Sequence, residues 1–154
     1  MQRIGGLFSF RGRASRITYW RVQLAASAVI AVLWVTTIFL AMGAGDIAAI
    51  PLLLLLPVLV AALAVTVRRL HDRDKSAWWL LAFWAAPATC FVVASGLTEQ
   101  TGVGGTPAMA AALAGLVFEF WALVEIGLLS GAKGPNRFGP APARRRSRRL
   151  RPTI

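Results

Sequence analysis

Acidic residues are scarce in this chain. Of 154 residues only 6 are Asp or Glu, against 17 Lys or Arg, and charged residues of both signs together make up 15%. A soluble domain carries roughly a quarter charged residues. With 57% of the chain hydrophobic, this shortage excludes an ordinary soluble fold and points to a membrane instead. A single cysteine, Cys90, excludes an intrachain disulfide, and its place inside an apolar run reads as a small buried residue. One histidine and few acids give too few ligands for a metal site, and no cofactor is expected.

What is present is four long apolar runs. The first spans residues 20–42 and holds one charge, Arg21, in its first turn. At about 1.5 Å per residue it reaches roughly 34 Å, enough for a hydrocarbon core of about 30 Å. A signal peptide would have an apolar region of only about 7–15 residues, and three more runs follow, so this is a retained helix. The second span, 47–67, contains Pro51 and Pro57; the third, 78–95, contains Pro87; the fourth is 108–129. Proline is tolerated in such helices where neighbours satisfy the freed carbonyls. Ser76 is placed to cap the third span, and Trp78 and Trp79 suit headgroup depth. The expected fold is all-α, an integral membrane four-helix bundle over residues 1–142, followed by a disordered basic tail, 143–154. Small pairs at helical spacing, Ser27 with Ala31, Ala82 with Ala86 and Ala111 with Gly115, are candidate helix contacts.

Charge decides orientation. All 17 Lys and Arg fall before or just inside span one, between spans two and three, or after span four, while the two opposite turns carry only Asp46 and Glu99. The positive-inside rule then puts both termini, and the Arg68–Ser76 connection, in the cytoplasm. That connection reads as a short loop.

Three basic motifs share this face: Phe10-Arg11-Gly12-Arg13-Ala14-Ser15-Arg16 leading to Tyr19-Trp20; Arg68-Arg69-Leu70-His71-Asp72 followed by Lys75-Ser76-Ala77-Trp78-Trp79; and Gly134-Pro135-Asn136-Arg137-Phe138-Gly139-Pro140-Ala141-Pro142. In content and order they resemble the opening, central and closing motifs of the bacterial inner-membrane family known as domain of unknown function 805. Ile17 and Thr18 stand where that family commonly has charged residues, and Ala141 where it commonly has an acid. The resemblance implies a small helical protein of the cytoplasmic (inner) membrane and no established activity.

The residues of the motifs carry the functional expectations. Arg11, Arg13, Arg16, Arg68, Arg69 and Arg137, with Tyr19, Trp20, His71, Trp78, Trp79 and Asn136, form a candidate layer for anionic lipid headgroups or a protein partner, since the arginine fork donates two hydrogen bonds at once. Asp72 is expected to pair with an arginine of the first or third motif and to orient His71. A His–Asp pair is also raw material for general base catalysis, but no nucleophile signature accompanies it, and a non-catalytic protein is the favoured reading over an enzyme acting on a phosphorylated lipid. The six arginines among Arg144 to Arg151 are read as a polybasic segment on an anionic leaflet, at about 1 kcal/mol per residue, rather than as a nucleic-acid site.

Span four adds two acids. Glu125 lies about one turn from the cytoplasmic end, within expected reach of Arg68 or Arg69. Glu119 lies near mid-span, where an acid is a functional candidate by default, and it supports an alternative reading as a small proton-coupled transporter. It is expected to face the bundle interior and bond the carbonyl of Leu53, freed by Pro57, or Thr89.

Overall fold

Ser15 starts the first helix. In the computed structural model, which describes residues 6–43, 47, 49–101 and 105–142, its hydroxyl accepts from the Thr18 amide at 3.2 Å and lies 2.9 Å from Thr18 Oγ1. This N-cap lets helix α1 run Arg16–Ala41, four residues earlier than the apolar run alone indicated. The basic tail and most of the turn after α1 lie outside the described residues.

The second span is broken where its prolines require it. Helix α2 (Ile50–Leu53) has Pro51 in its first turn, where a missing amide costs nothing. Helix α3 (Leu55–Asp72) follows after Leu54 and carries Pro57 in its first turn. It continues through Arg68, Arg69, Leu70, His71 and Asp72, so the central motif is the last turns of a helix and not a loop. The connection proper starts at Arg73 and turns through Asp74, which sits in the left-handed region at φ 58°.

A π-helical segment, Leu81–Ala85, opens the third span and passes into α4 (Ala86–Thr101). Pro87 lies just beyond it and cannot donate to the carbonyl of Phe83, and a widened turn is one way to accommodate that. Ser76 does not cap this span: its backbone carbonyl accepts from the Trp79 amide at 3.3 Å, and no side-chain cap precedes the π-helix. Helix α5 (Thr106–Ala122) starts with Pro107 in its first turn and ends in a second π-helical segment, Leu123–Leu128.

Among the described residues, four helical stretches are therefore long and apolar enough to cross a membrane. Their outward faces fit that role: Leu24, Val32, Phe39, Leu53, Val92, Val117 and Phe120 are all exposed, far more apolar surface than a water-soluble monomer leaves open. Hydroxyls within the spans turn back onto their own helices, Thr37 to Leu33, Thr66 to Ala62 and Thr89 to Ala85, at 2.8, 2.7 and 2.9 Å.

The helices pack as two pairs. Helix α1 lies against α2 and α3, and α4 lies against α5; the pairs approach closely through the π-helical end of the fourth span, which touches both α1 and α3. Gly115 lets α4 and α5 close up, since a Cβ there would sit 3.0 Å from the Phe91 ring. Ser27 and Ala31 do not serve α1 in this way; both are exposed, and the residue it buries is Ala26.

Candidate functional site

Three chain segments meet at one end of the molecule, and the centre of their meeting is Arg69. Its side chain is only 1% exposed, and a buried guanidinium must find partners for its donors. Nε donates to the Ile126 carbonyl at 2.9 Å, one Nη to the Leu129 carbonyl and the other to Asp72 Oδ2. Asp72 is one helical turn further along α3, so the two side chains share a face.

Asp72 Oδ1 is taken by Arg13, through Nε at 3.0 Å and Nη2 at 2.9 Å. Arg13 then spends its remaining donors on the third segment: Nη1 reaches the carbonyls of Gly134 at 2.7 Å and Gly139 at 3.3 Å, and Nη2 that of Ala132 at 2.6 Å. One arginine thus ties the first motif to the second and third. Asp72 also accepts from the Ala132 amide through its backbone carbonyl, at 2.8 Å. The chain can pass this close only because residue 131 is glycine; any Cβ there would overlap the Asp72 carboxylate.

Further side chains repeat the pattern. Arg16 donates to the Leu128 carbonyl at 2.8 Å, Trp20 Nε1 to Gly127 at 3.0 Å and Arg73 to Ser130 at 2.6 Å. Four arginines and one tryptophan therefore cover eight backbone carbonyls between Ile126 and Gly139. The last carbonyls of a helix have no intrahelical partner, and cations there also complement its dipole. The acceptors are main-chain atoms, which explains why residue-type patterns did not reveal them.

His71 is held differently from expectation. Its neighbour Asp72 is committed to the two arginines and does not orient it; adjacent residues on a helix do not face each other. Instead Nδ1 donates to the Gly12 carbonyl at 3.1 Å, and the ring stacks on Phe138 at 3.8 Å between centroids. Asn136 donates to the His71 carbonyl at 2.7 Å and accepts from the Phe138 amide, while Ala14 donates to the Arg68 carbonyl at 2.9 Å. Arg137 lies over Phe138 and pairs with Asp74 at 3.3 Å on the surface.

Glu125 pairs with Arg73 at 2.9 Å and lies 3.7 Å from Lys75, not against Arg68 or Arg69. Arg69 is already enclosed by Asp72 and the carbonyls, and Arg68 folds back to the Ala64 carbonyl of its own helix at 3.3 Å. Lys75 also covers the Trp79 ring at 3.6 Å, and Trp79 packs on Phe83 and Trp121. Tyr19 packs beside this cluster with Leu70, Phe83 and Ile126, whereas Trp78 is 78% exposed. Arg11, Arg21 and Lys133 remain exposed around the same end, each without a side-chain partner among the described residues.

Glu119 is away from this knot. It bonds neither Leu53 nor Thr89: α5 packs on α4 and not on α2 or α3, and the Thr89 hydroxyl is spent on Ala85. Nor does it face the bundle interior: Glu119 is exposed, at the side of an open cleft of about 490 Å³ that it lines with Tyr19 and Gln23 of α1. Gln23 was missed in reading the sequence, where it is a lone amide in an apolar run.

The family model for protein of unknown function DUF805 matches residues 7–140. This chain belongs to that family. Over 75 residues it is 36% identical to the inner membrane protein YhaI of Escherichia coli strain K12 and, equally, to that of strain O157:H7, a match covering 49% of this chain and 61% of each relative. No solved structure matches. The region matched by the family model contains the whole arginine–carbonyl knot, in which Arg13, Arg69 and Asp72 are parts of one interlocked assembly.

Proposed function

We propose that this protein is a non-catalytic component of the cytoplasmic membrane. On this reading its motif end faces the cytoplasm and its exposed basic rim holds anionic lipid headgroups. One observation carries the reading: the cations at this end of the molecule include two contrasting sets. Arg13, Arg69 and Arg73 have their donors committed to protein acceptors, so they build a rigid floor and are not free for a ligand. Arg11, Arg21 and Lys133 stand outside that floor and are exposed. Trp78, exposed in the chain that leaves α3, suits headgroup depth. Placement of this end in the cytoplasm rests on the one-sided distribution of Lys and Arg, and the relatives named inner membrane proteins support the compartment.

No catalytic role is assigned to His71, which is 9% exposed, with its ring stacked on Phe138 and its Nδ1 committed to the Gly12 carbonyl. The deciding experiment is native mass spectrometry of the purified protein offered equal phosphatidylglycerol and phosphatidylcholine. Preferential retention of phosphatidylglycerol is expected, and R11Q/R21Q/K133Q should reduce it severalfold at unchanged melting temperature. Equal retention of the two lipids by the native protein overturns the proposal.

A further inference from the structure

The cavity beside Glu119 has a chemical character opposite to that of the basic rim. It lies between α1 and the α4–α5 pair, and its volume of about 490 Å³ falls in the roughly 300–1,000 Å³ range of small-molecule sites. Glu119, itself exposed at the open side of the cavity, is the only charged residue in its lining, and among the described residues it makes no hydrogen bond or ion pair. Facing the same space is Gln23, whose buried Oε1 has no hydrogen-bond partner. A buried acceptor left unpaired costs about 1–3 kcal/mol. The lining thus holds two acceptors, a carboxylate and an amide oxygen; its own donors, the Tyr19 hydroxyl and the Trp84 indole N–H, are neutral, and no cation among the lining residues balances the carboxylate.

The remaining walls are aromatic. Phe83, Trp84 and Phe91 line the cavity with Tyr19. Aromatic faces attract cations and also receive apolar groups. A carboxylate, an unsatisfied amide oxygen and aromatic walls together recognise one kind of group: a cation that donates N–H bonds and is carried on an apolar body.

We propose that this cavity binds a primary ammonium group attached to an apolar body. Glu119 supplies the counter-charge, Gln23 Oε1 accepts one N–H, and the aromatic walls hold the apolar part. Such a group belongs both to the headgroup of phosphatidylethanolamine and to free lipophilic amines. A quaternary ammonium has the charge but no N–H to give to Gln23. The inference does not rest on lipid binding at the rim, since the rim selects an anion and the cavity a cation.

The test uses the full-length protein in phosphatidylcholine nanodiscs, with phenethylammonium, its N,N,N-trimethyl analogue and neutral 2-phenylethanol as probes. Saturable quenching of tryptophan fluorescence is expected for phenethylammonium. Its affinity should fall tenfold or more in Glu119→Gln, and the other two probes should bind at least fivefold more weakly to the native protein. For the lipid source, native mass spectrometry compares retained phosphatidylethanolamine with phosphatidylcholine. Retention of phosphatidylethanolamine that is lost in Glu119→Gln, with competition against the probe, identifies the headgroup; probe binding without such retention identifies a free amine. Should Glu119→Gln melt below the native protein, Gln23→Leu serves in its place, with a threefold or greater loss expected for the primary amine and none for the trimethyl analogue. The proposal is overturned if neither the amine nor phosphatidylethanolamine is preferred, if the alcohol binds equally well, or if the folded variants bind like the native protein.

Discussion

Arg13 and Asp72, separated by 59 positions in the chain, meet at 2.9 Å with side chains 1% and 5% exposed. Their pairing holds the segment before the first span against the end of the second. Asp72 serves Arg69 at the same time, so one carboxylate balances two buried guanidinium groups. Removing one partner of a buried pair leaves the other charge uncompensated, at a cost of about 3–5 kcal/mol. Asp72→Asn is therefore expected to lower the melting temperature in detergent sharply and to reduce yield. A variant as stable as the native protein would contradict the role assigned to this residue.

Arg13→Lys keeps the charge but loses the fork. A lysine ammonium cannot reach Asp72 and the carbonyls of Ala132, Gly134 and Gly139 together. A loss of about 2 kcal/mol or more, in the upper part of the usual range for single substitutions, is expected from unfolding measurements. If lysine proves equivalent, charge alone matters at this position and the carbonyl contacts do not.

Gly131→Ala tests the closeness of the third segment. The added methyl would overlap the Asp72 carboxylate, so either the loop or the ion pair must shift. A destabilisation comparable to that of Asp72→Asn is expected, and combining the two substitutions should cost less than their sum, because they disturb one contact. Additive losses would place the effect elsewhere.

The surface pair Arg137–Asp74 provides the contrast. Both side chains are more than half exposed, at 60% and 55%, and exposed pairs contribute about 0–1 kcal/mol. Asp74→Asn should be nearly silent, since asparagine also accepts the left-handed backbone found there. Asp74→Val should be the harmful change at this site, through backbone strain. Thermal melts of the two variants separate charge from conformation.

Orientation is checked by fusion reporters. Fusions after Ser76 and at the C-terminus should both report cytoplasm, and one near Glu99 should report the opposite side. A cytoplasmic signal at Glu99 would contradict the proposed sidedness.

Much of the architecture was legible in the sequence, and the reasons it was incomplete are specific. Four apolar runs gave four helices because length and composition alone decide whether a segment can span. Their ends were misjudged where polar residues are helical: Arg68 to Asp72 read as a loop because charge reads as exposure, yet Arg69 is among the most buried side chains. The shortage of acids pointed correctly to an arginine for Asp72. The choice of Arg13, and of Arg73 for Glu125, depended on which carbonyls already occupied the other arginines. The outward, exposed direction of Glu119 was not readable, because it required knowing that α5 packs on α4 and not on α2 or α3.

The partners of Arg13, Arg16, Trp20, Arg69 and Arg73 at the knot are carbonyls from Ile126 to Gly139, the last part of the motif-bearing chain to be synthesised. Until that stretch emerges from the ribosome, the arginines of the first and second motifs have no backbone to close upon. Completion of this end is therefore deferred: Arg13 can pair with Asp72 and Ala14 with the Arg68 carbonyl early, but the guanidinium groups lack most of their acceptors until the third segment arrives. A chain cut short before Ile126 would leave those guanidinium groups without their carbonyls.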